Sequence, residues 1–445
     1  MKKKVLIIAY FFPPHNAIAA QRAGGLSKFL PEFGWDPTII TTRLPSPPEP
    51  GLHVVETEGS DILLEWKRRL RFPVDKTFRE NLRQTGEKET PVDLFLNSAR
   101  EILAYPDYNK GWYSQVMPVA RRLLEGGEYD AIISTAGPYT AHRIACSLKK
   151  EYGIPWVADF RDLWTQNHHY SFGRVRTFFE KRLEIRTLSD ADAITTVSSP
   201  LAAKLATLHR SPVHVVTHGF DPGILNPDNS PEPGFSIHYT GRIYRGKMDP
   251  EPFFRMVRNA LDRSLVGAGD IRIHFWGSFE PWLGDLIRSY SLDTIVRLHD
   301  QVPRDKAIGI QRSAQVLLLL AWNDPQEDGV LTGKVFEYLA ARRPILAMGS
   351  SGKGIAALLE ETQAGTFAHN DEELETMFLR YYRQYTTGGY VLYSGRDTAV
   401  NALSHRNMAG QFASLLDSIC AGRRDKNLRQ AGSFSDMTAK NRNHQ

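Results

Sequence analysis

The chain has 445 residues, 42% hydrophobic and 24% charged, enough for two or three domains with their own cores and unlike a disordered or collagenous protein. Its net charge of +5 gathers at one end: residues 423–445 carry six Lys/Arg against Asp425 and Asp436, so the rest is near neutral and lacks the basic footprint of a nucleic-acid binder. Cys146 and Cys420 stand far apart, which excludes a disulfide framework and zinc-ligand spacing and fits a reducing, cytoplasmic setting.

The opening Lys2-Lys3-Lys4 and the apolar run Val5 to Ala9 resemble a signal peptide, but Pro13, Pro14 and His15 follow without a small-residue cleavage site. No stretch has the length expected of a membrane span. Val5 to Phe11 instead reads as a buried parallel strand. Further strands are expected at Pro37 to Thr42, Ala131 to Thr135, Trp156 to Phe160, Ala193 to Val197 and Val213 to Thr217, with helical patterns between most of them. That βαβ order predicts an α/β fold with a doubly wound parallel sheet.

Residues 45–113 interrupt this alternation and are mostly non-periodic. Within them Leu63 to Phe72 interleaves apolar and basic residues like an interfacial segment. A solvated helix on its own domain is the preferred reading, with weak peripheral membrane contact, at the inner face, as the minor one.

After the Pro- and Asp-rich stretch Asp221 to Pro233 the pattern restarts, with strands expected at Ser236 to Thr240, Ile271 to Trp276, Ile295 to Leu298, Val316 to Ala321, Ile345 to Met348 and Gly365 to Ala368. The expected plan is an N-terminal Rossmann-like domain over 1–220, a linker over 221–234, and a second Rossmann-like domain over 235–395. A helical segment over 396–421 and a disordered basic tail over 422–445 complete it. Such sheets bind ligands at the carboxyl ends of their strands, so a molecule held in a central cleft between two of them is the expectation.

Four strand-end loops carry chemistry. Phe12 to Arg22 closes the first strand and is rich in proline, which shapes turns. Ser134 to His142 is a strand-to-helix turn, in which His142 reads as a supporting histidine rather than a catalytic one. Asp159, Arg161 and Asp162 follow the strand at Trp156; three charges there are costly to half-bury unless they pair or bind something. Gly241, Arg242 and Lys247 end the first strand of the second domain, where glycine allows close backbone approach and Arg242 can fork onto phosphate oxygens. A basic surface loop is the plain alternative.

The most informative stretch runs from Thr332 to Leu346. Thr332 and Gly333 are expected at a helix N-terminus, whose free N–H groups and dipole suit a phosphate. Lys334 and Glu337, three residues apart, share one helix face. Such a cation can meet phosphate while the carboxylate accepts hydrogen bonds from sugar hydroxyls, as a nucleotide diphosphate needs. An ordinary amphipathic helix with a surface Lys/Glu pair is the alternative. No obvious Asp-x-Asp motif stands in this second domain to offer a divalent ion to that diphosphate.

In order and spacing these pieces resemble the retaining nucleotide-sugar glycosyltransferases of the GT-B fold, family four, from Val5 to about Leu416. The Phe-Pro-Pro loop ahead of Arg22, the strand Thr196-Val197-Ser198 and the hinge His218-Gly219-Phe220-Asp221 match as well. The resemblance implies that Gly241, Arg242 and Lys247 neutralise a donor diphosphate without metal or cofactor. It implies further that Thr332, Gly333 and Lys334 touch phosphate or ribose, and that Glu337 is the second Glu of a Glu-x7-Glu signature that holds the ribose. Asp159, Arg161 and Asp162 match the loop beside the reacting sugar, with Asp162 preferred for catalysis. The implied partners are a nucleotide sugar, most often of uridine, and a glycan or lipid-linked acceptor in surface polysaccharide synthesis.

Two positions depart from that pattern. Gly329 stands where the first Glu is expected, and Asn16 to Ala20 replaces the paired glycines of the opening loop. A nucleotide-sugar 2-epimerase of the same fold, or a non-catalytic nucleotide-sugar-binding protein, are the competing readings.

Overall fold

The computed structural model describes residues 2–15, 17–60, 105–167, 172–224, 231–323, 331–350 and 352–422. Segment 63–72, Gly329 and the tail beyond 422 lie outside them. The chain divides into two compact units, one of residues 1–216 together with 409–445 and the other of residues 217–408.

In unit 1, β1 (Lys3–Ile8), β2 (Trp35–Thr42), β3 (His53–Thr57), β4 (Ala131–Thr135), β5 (Trp156–Phe160), β6 (Ala193–Thr196) and β7 (Val213–Val215) form one sheet in the order β3-β2-β1-β4-β5-β6-β7. Its pairings are all parallel. The crossovers between them include α1 (Ile18–Phe29), α2 (Trp112–Gly126), α3 (Thr140–Tyr152), α4 (Arg174–Leu188) and α5 (Ser199–Leu208). With helices on its faces the sheet is buried on both sides, which is why β4 and β5 read as continuous buried runs rather than alternating ones. Leu6, Ile8, Ile132 and Trp156 meet Trp112, Val116, Ile144 and Leu148 in its main core.

Within 45–113 the described residues 45–60 include regular structure that the sequence did not suggest. They contribute β3, paired in parallel with β2 from Thr38↔His53 to Thr42↔Thr57. As an edge strand with only Thr57 buried, it lacks the apolar signature of its neighbours. Asp107, from the same stretch, accepts hydrogen bonds from the Thr140 backbone N–H at 2.7 Å and the Thr140 hydroxyl at 2.9 Å, closing the first turn of α3.

In unit 2, β8 (Phe235–Thr240), β9 (Ile271–Trp276), β10 (Val296–His299), β11 (Val316–Leu320), β12 (Ile345–Met348) and β13 (Gly365–Ala368) assemble in the order β10-β9-β8-β11-β12-β13, all parallel. The helices are α6 (Glu251–Asp262), α7 (Pro281–Ser289), α8 (Arg304–Ser313), α9 (Gly333–Ala341), α10 (Lys353–Thr362), α11 (Asp371–Gly388) and α12 (Asp397–Ala402). Side chains of β11 alternate between two cores. Val316, Leu318 and Leu320 join Phe253, Phe254 and Phe378, while Leu317 and Leu319 join Phe336, Leu339 and Ile345.

The chain enters unit 2 through His218-Gly219-Phe220. There Phe220 donates its N–H to the Leu403 carbonyl and accepts from His405 N–H. A Cβ on Gly219 would sit 2.7 Å from the Leu403 oxygen, so only glycine fits. Segment 396–421, read from sequence as one piece, is shared: α12 belongs to unit 2 and residues from 409 onward return to unit 1. In unit 1 the Phe412 ring lies 5.3 Å from the Arg22 guanidinium, and Asp417 accepts from Lys3 Nζ and Trp35 Nε1. Among the described residues no helix is long and apolar enough to cross a membrane.

Candidate functional site

A doubly wound sheet reverses its strand order at one point, and the loops leaving the two strands there diverge and open a binding crevice. In unit 2 that point lies between β8 and β11. The loop after β8 begins with Gly241, and the segment after β11 leads into α9.

Gly241 has φ +110, a region side chains avoid, and a Cβ there would meet Lys334 Cε at 3.0 Å and Nζ at 3.2 Å. Its missing side chain is therefore the space that the Lys334 ammonium occupies. Lys334 Nζ donates to Tyr239 Oη at 2.6 Å, and that hydroxyl donates to the Arg242 carbonyl at 2.9 Å. Burial pushes Lys334 down from 10.5 to about 7, opposed in part by the Glu337 charge. Among the described residues no carboxylate is hydrogen-bonded to this half-buried ammonium.

Thr332 is the extended residue before α9 and caps it with no side-chain hydrogen bond. The positive end of the helix has no side-chain cap among the described residues, as at most helices here, and such an end suits an anion. Glu337, one turn along, accepts from Arg304 Nε at 2.9 Å and Gln311 Nε2 at 3.4 Å, and Gln311 Nε2 also donates to Thr240 Oγ1 at 2.8 Å. Tyr338 Oη accepts from the Thr240 backbone N–H at 2.9 Å. These bonds lock α9 and α8 to the end of β8.

Arg242 and Lys247 occupy the exposed part of the same loop. The Arg242 guanidinium lies 5.4 Å from the Tyr244 ring, Tyr244 stacks on Trp322 at 5.5 Å, and Lys247 Nζ lies 5.3 Å from Trp322. The Lys247 carbonyl accepts from Asn323 N–H at 2.8 Å, tying this loop to the end of β11. Gly241, Arg242, Lys247, Thr332, Gly333, Lys334 and Glu337 are thereby brought into one neighbourhood. Sequence reasoning missed Tyr239, Arg304, Gln311, Tyr338 and the Tyr244/Trp322 pair; position at a strand end, where Tyr239 and Trp322 both fall, was the available signal.

Unit 1 separates the three charged candidates after β5. Asp159, expected to face a substrate, is fully buried: its carboxylate takes Arg22 Nε and Nη2, each at 2.8 Å, and Thr195 Oγ1 at 2.8 Å. Burial alone would raise its pKa, but the Arg22 charge and hydrogen bonds hold it below the usual value. Arg22 also donates to the Val216 carbonyl at 2.9 Å. Asp159 is therefore a positioning residue that ties β5, α1 and β6 together. Arg161 is partly buried and donates to the Ala136 carbonyl. Asp162 is exposed beside them.

The neighbouring turn is rigid. Tyr139 donates to the Leu163 carbonyl at 2.7 Å and stacks on Trp164 at 4.7 Å. His142 is fully buried, with Nδ1 2.7 Å from Ser134 Oγ, and burial lowers its pKa to about 3. Its ring packs against Phe160 and Trp156 in the core of unit 1.

Two all-parallel α/β units, the second in Rossmann strand order, with a phosphate-suited crevice in that unit, define the GT-B fold class. Residues 85–223 match the family model described as Glycosyltransferase Family 4. Among solved structures the chain is similar to sucrose-phosphate synthase from Thermosynechococcus elongatus (TM-score 0.60, 13% identity, covering 95% of this chain and 100% of that one). It is similar too to a glycosyltransferase from Rickettsia africae (0.60, 12%, 94% and 98%). A third is HepE from Anabaena in complex with UDP and glucose (0.55, 13%, 94% and 100%). No curated protein matches the chain. The family-model match supports glycosyl transfer as the class of activity.

Proposed function

We propose that the protein transfers a sugar, with retained anomeric configuration, from a nucleotide-diphosphate sugar, most readily a uridine one, to a glycan or lipid-linked acceptor in surface polysaccharide synthesis. The observation that carries the proposal is the under-solvated Lys334 ammonium against Gly241, at the uncapped start of α9. It supports a diphosphate ligand because each group there seeks negative charge. Complexes of the similar HepE with UDP point the same way.

As the bond from the sugar to the diphosphate breaks, charge builds on the leaving phosphate oxygens. Arg242, Lys247, Lys334 and the N–H groups at Thr332 and Gly333 would stabilise that charge by standing in place beforehand, without a metal ion. Glu337, oriented by Arg304, would accept hydrogen bonds from the ribose hydroxyls. The acceptor side falls to unit 1, where Asp162 is the exposed carboxylate of the three candidates and so the one to face the reacting sugar.

The test is turnover of a panel of nucleotide sugars with an acceptor extract, comparing the wild type with Arg242→Ala. Loss of roughly 10²-fold in kcat/KM is expected from removing one preorganised donor of charge stabilisation. Wild-type turnover by Arg242→Ala would remove that role. An epimer formed from donor alone, with no nucleotide release, would make the chain an isomerase.

A further inference from the structure

Outside the crevice of unit 2, β8 and β9 bring a second group of polar side chains together. His238 on β8 and His274 on β9 are direct cross-strand partners. Glu232 precedes β8 and is anchored by its N–H to the Ser313 carbonyl at 2.8 Å. Its Oε1 lies 2.9 Å from His238 Nε2 and 3.7 Å from His274 Nε2. The three side chains each offer one ligand atom, all within 4.8 Å of one another.

The outer bonds of both imidazoles are already arranged. His238 Nδ1 lies 3.0 Å from the Ile310 carbonyl, which can only accept, so Nδ1 carries a proton. The Nε2 of the same buried ring faces a Glu232 carboxylate oxygen 2.9 Å away, a gap that a shared proton spans in the ion-free protein and that a metal ion would take over on binding. His274 Nδ1 lies 2.9 Å from His299 Nε2, and His299 is itself held flat on Trp276 at 3.8 Å and 9°. Each ring thus has its Nδ1 engaged and its Nε2 turned toward Glu232. Metal-binding histidines are oriented in this way by outer partners.

We infer that Glu232, His238 and His274 form a binding site for a borderline divalent transition-metal ion of the zinc class. Two imidazoles and one carboxylate suit such an ion, with remaining positions for water. Ligand atoms around tetrahedral zinc stand about 3.3 Å apart, given metal–ligand bonds near 2.0–2.2 Å. The observed 2.9 and 3.7 Å from Glu232 lie on either side of that spacing, and the group as a whole, within 4.8 Å, would draw together on binding. The neighbouring cations do not occupy the site: Arg272 Nη1 donates to the Pro233 carbonyl at 3.3 Å, and Arg297 is exposed. A metal there would pin the entry to β8 onto the outer half of the sheet. Through Ile310 it would also brace α8, whose next residue, Gln311, supports Thr240 and Glu337.

The experiment is equilibrium dialysis of tag-free, full-length protein against micromolar Zn²⁺, with metal counted per chain. Co²⁺ replaces it in a second series read by visible absorption. One tightly held equivalent is expected, with ligand-field bands for Co²⁺ and a Zn²⁺-dependent rise in thermal midpoint. Glu232→Gln and His274→Gln, both at half-buried positions and checked for folding by circular dichroism, should each weaken binding at least tenfold and abolish the thermal rise. No saturable binding by the wild type overturns the inference. So does undiminished binding by both variants, which would assign the ion to other histidines or to the cysteines. Neither outcome bears on sugar transfer.

Discussion

Lys334 makes the affinity of unit 2 for a nucleoside diphosphate depend on pH in a calculable way. Its pKa in the empty site is lowered to about 7 by burial. A bound diphosphate would supply the missing counter-charge and return it toward its ordinary 10.5, so binding must take up protons. Half of the side chains are charged at pH 7 and about one in a hundred at pH 9, and the observed dissociation constant should rise roughly fifty-fold over that interval while staying nearly level below pH 6. The sign for folding is opposite. A lysine whose native pKa lies below its unfolded value costs stability when charged, so the ligand-free protein gains stability from this group as pH climbs from about 7 toward 10.5. Titration calorimetry with UDP in two buffers of different ionisation enthalpy reads the proton uptake directly, expected near half a proton at pH 7. Lys334→Gln should bind more weakly at neutral pH and lose the dependence. A flat affinity between pH 6 and 9, with no proton uptake by the wild type, would refute the reasoning.

Gly241→Ala places a methyl group where Lys334 Cε and Nζ now sit and forces φ +110 on a residue with a side chain, a strain of roughly 1–3 kcal/mol. UDP affinity by calorimetry should fall at least tenfold while the circular dichroism spectrum is unchanged; full affinity would mean that Lys334 moves away freely. Asp159→Asn leaves the Arg22 guanidinium buried without its counter-charge and should cost about 3–5 kcal/mol, read as a lower guanidinium midpoint by tryptophan fluorescence. An unshifted midpoint would show that the pair does not support unit 1. In the wild type the contribution of this carboxylate is present above its unfolded value near 3.8 and is lost as pH falls through its lower native value.

The core of both sheets was legible because parallel strands covered on both faces must be apolar along their whole length. Ala131 to Thr135, Trp156 to Phe160 and Ile345 to Met348, buried along their whole length, could be bounded to the residue for that reason. The start of α9 was legible because Thr-Gly followed by an apolar helical pattern is a local signal. β3 was hidden, since an edge strand owes its place to a neighbour rather than to its own pattern.

Local sequence therefore determined which segments are strands and helices, and which strand-end loops carry charge and glycine, because those properties depend on residues a few positions apart. Only the folded chain decided what each charge does. Asp159 and Asp162 are three residues apart, yet one is sealed against Arg22, 137 residues away, and the other meets solvent. Glu232, His238 and His274 have no spacing that suggests a common site; they meet because parallel pairing sets His238 beside His274 and the approach to β8 carries Glu232 to both. Sheet register and burial act between distant parts of the chain, and no local pattern encodes them.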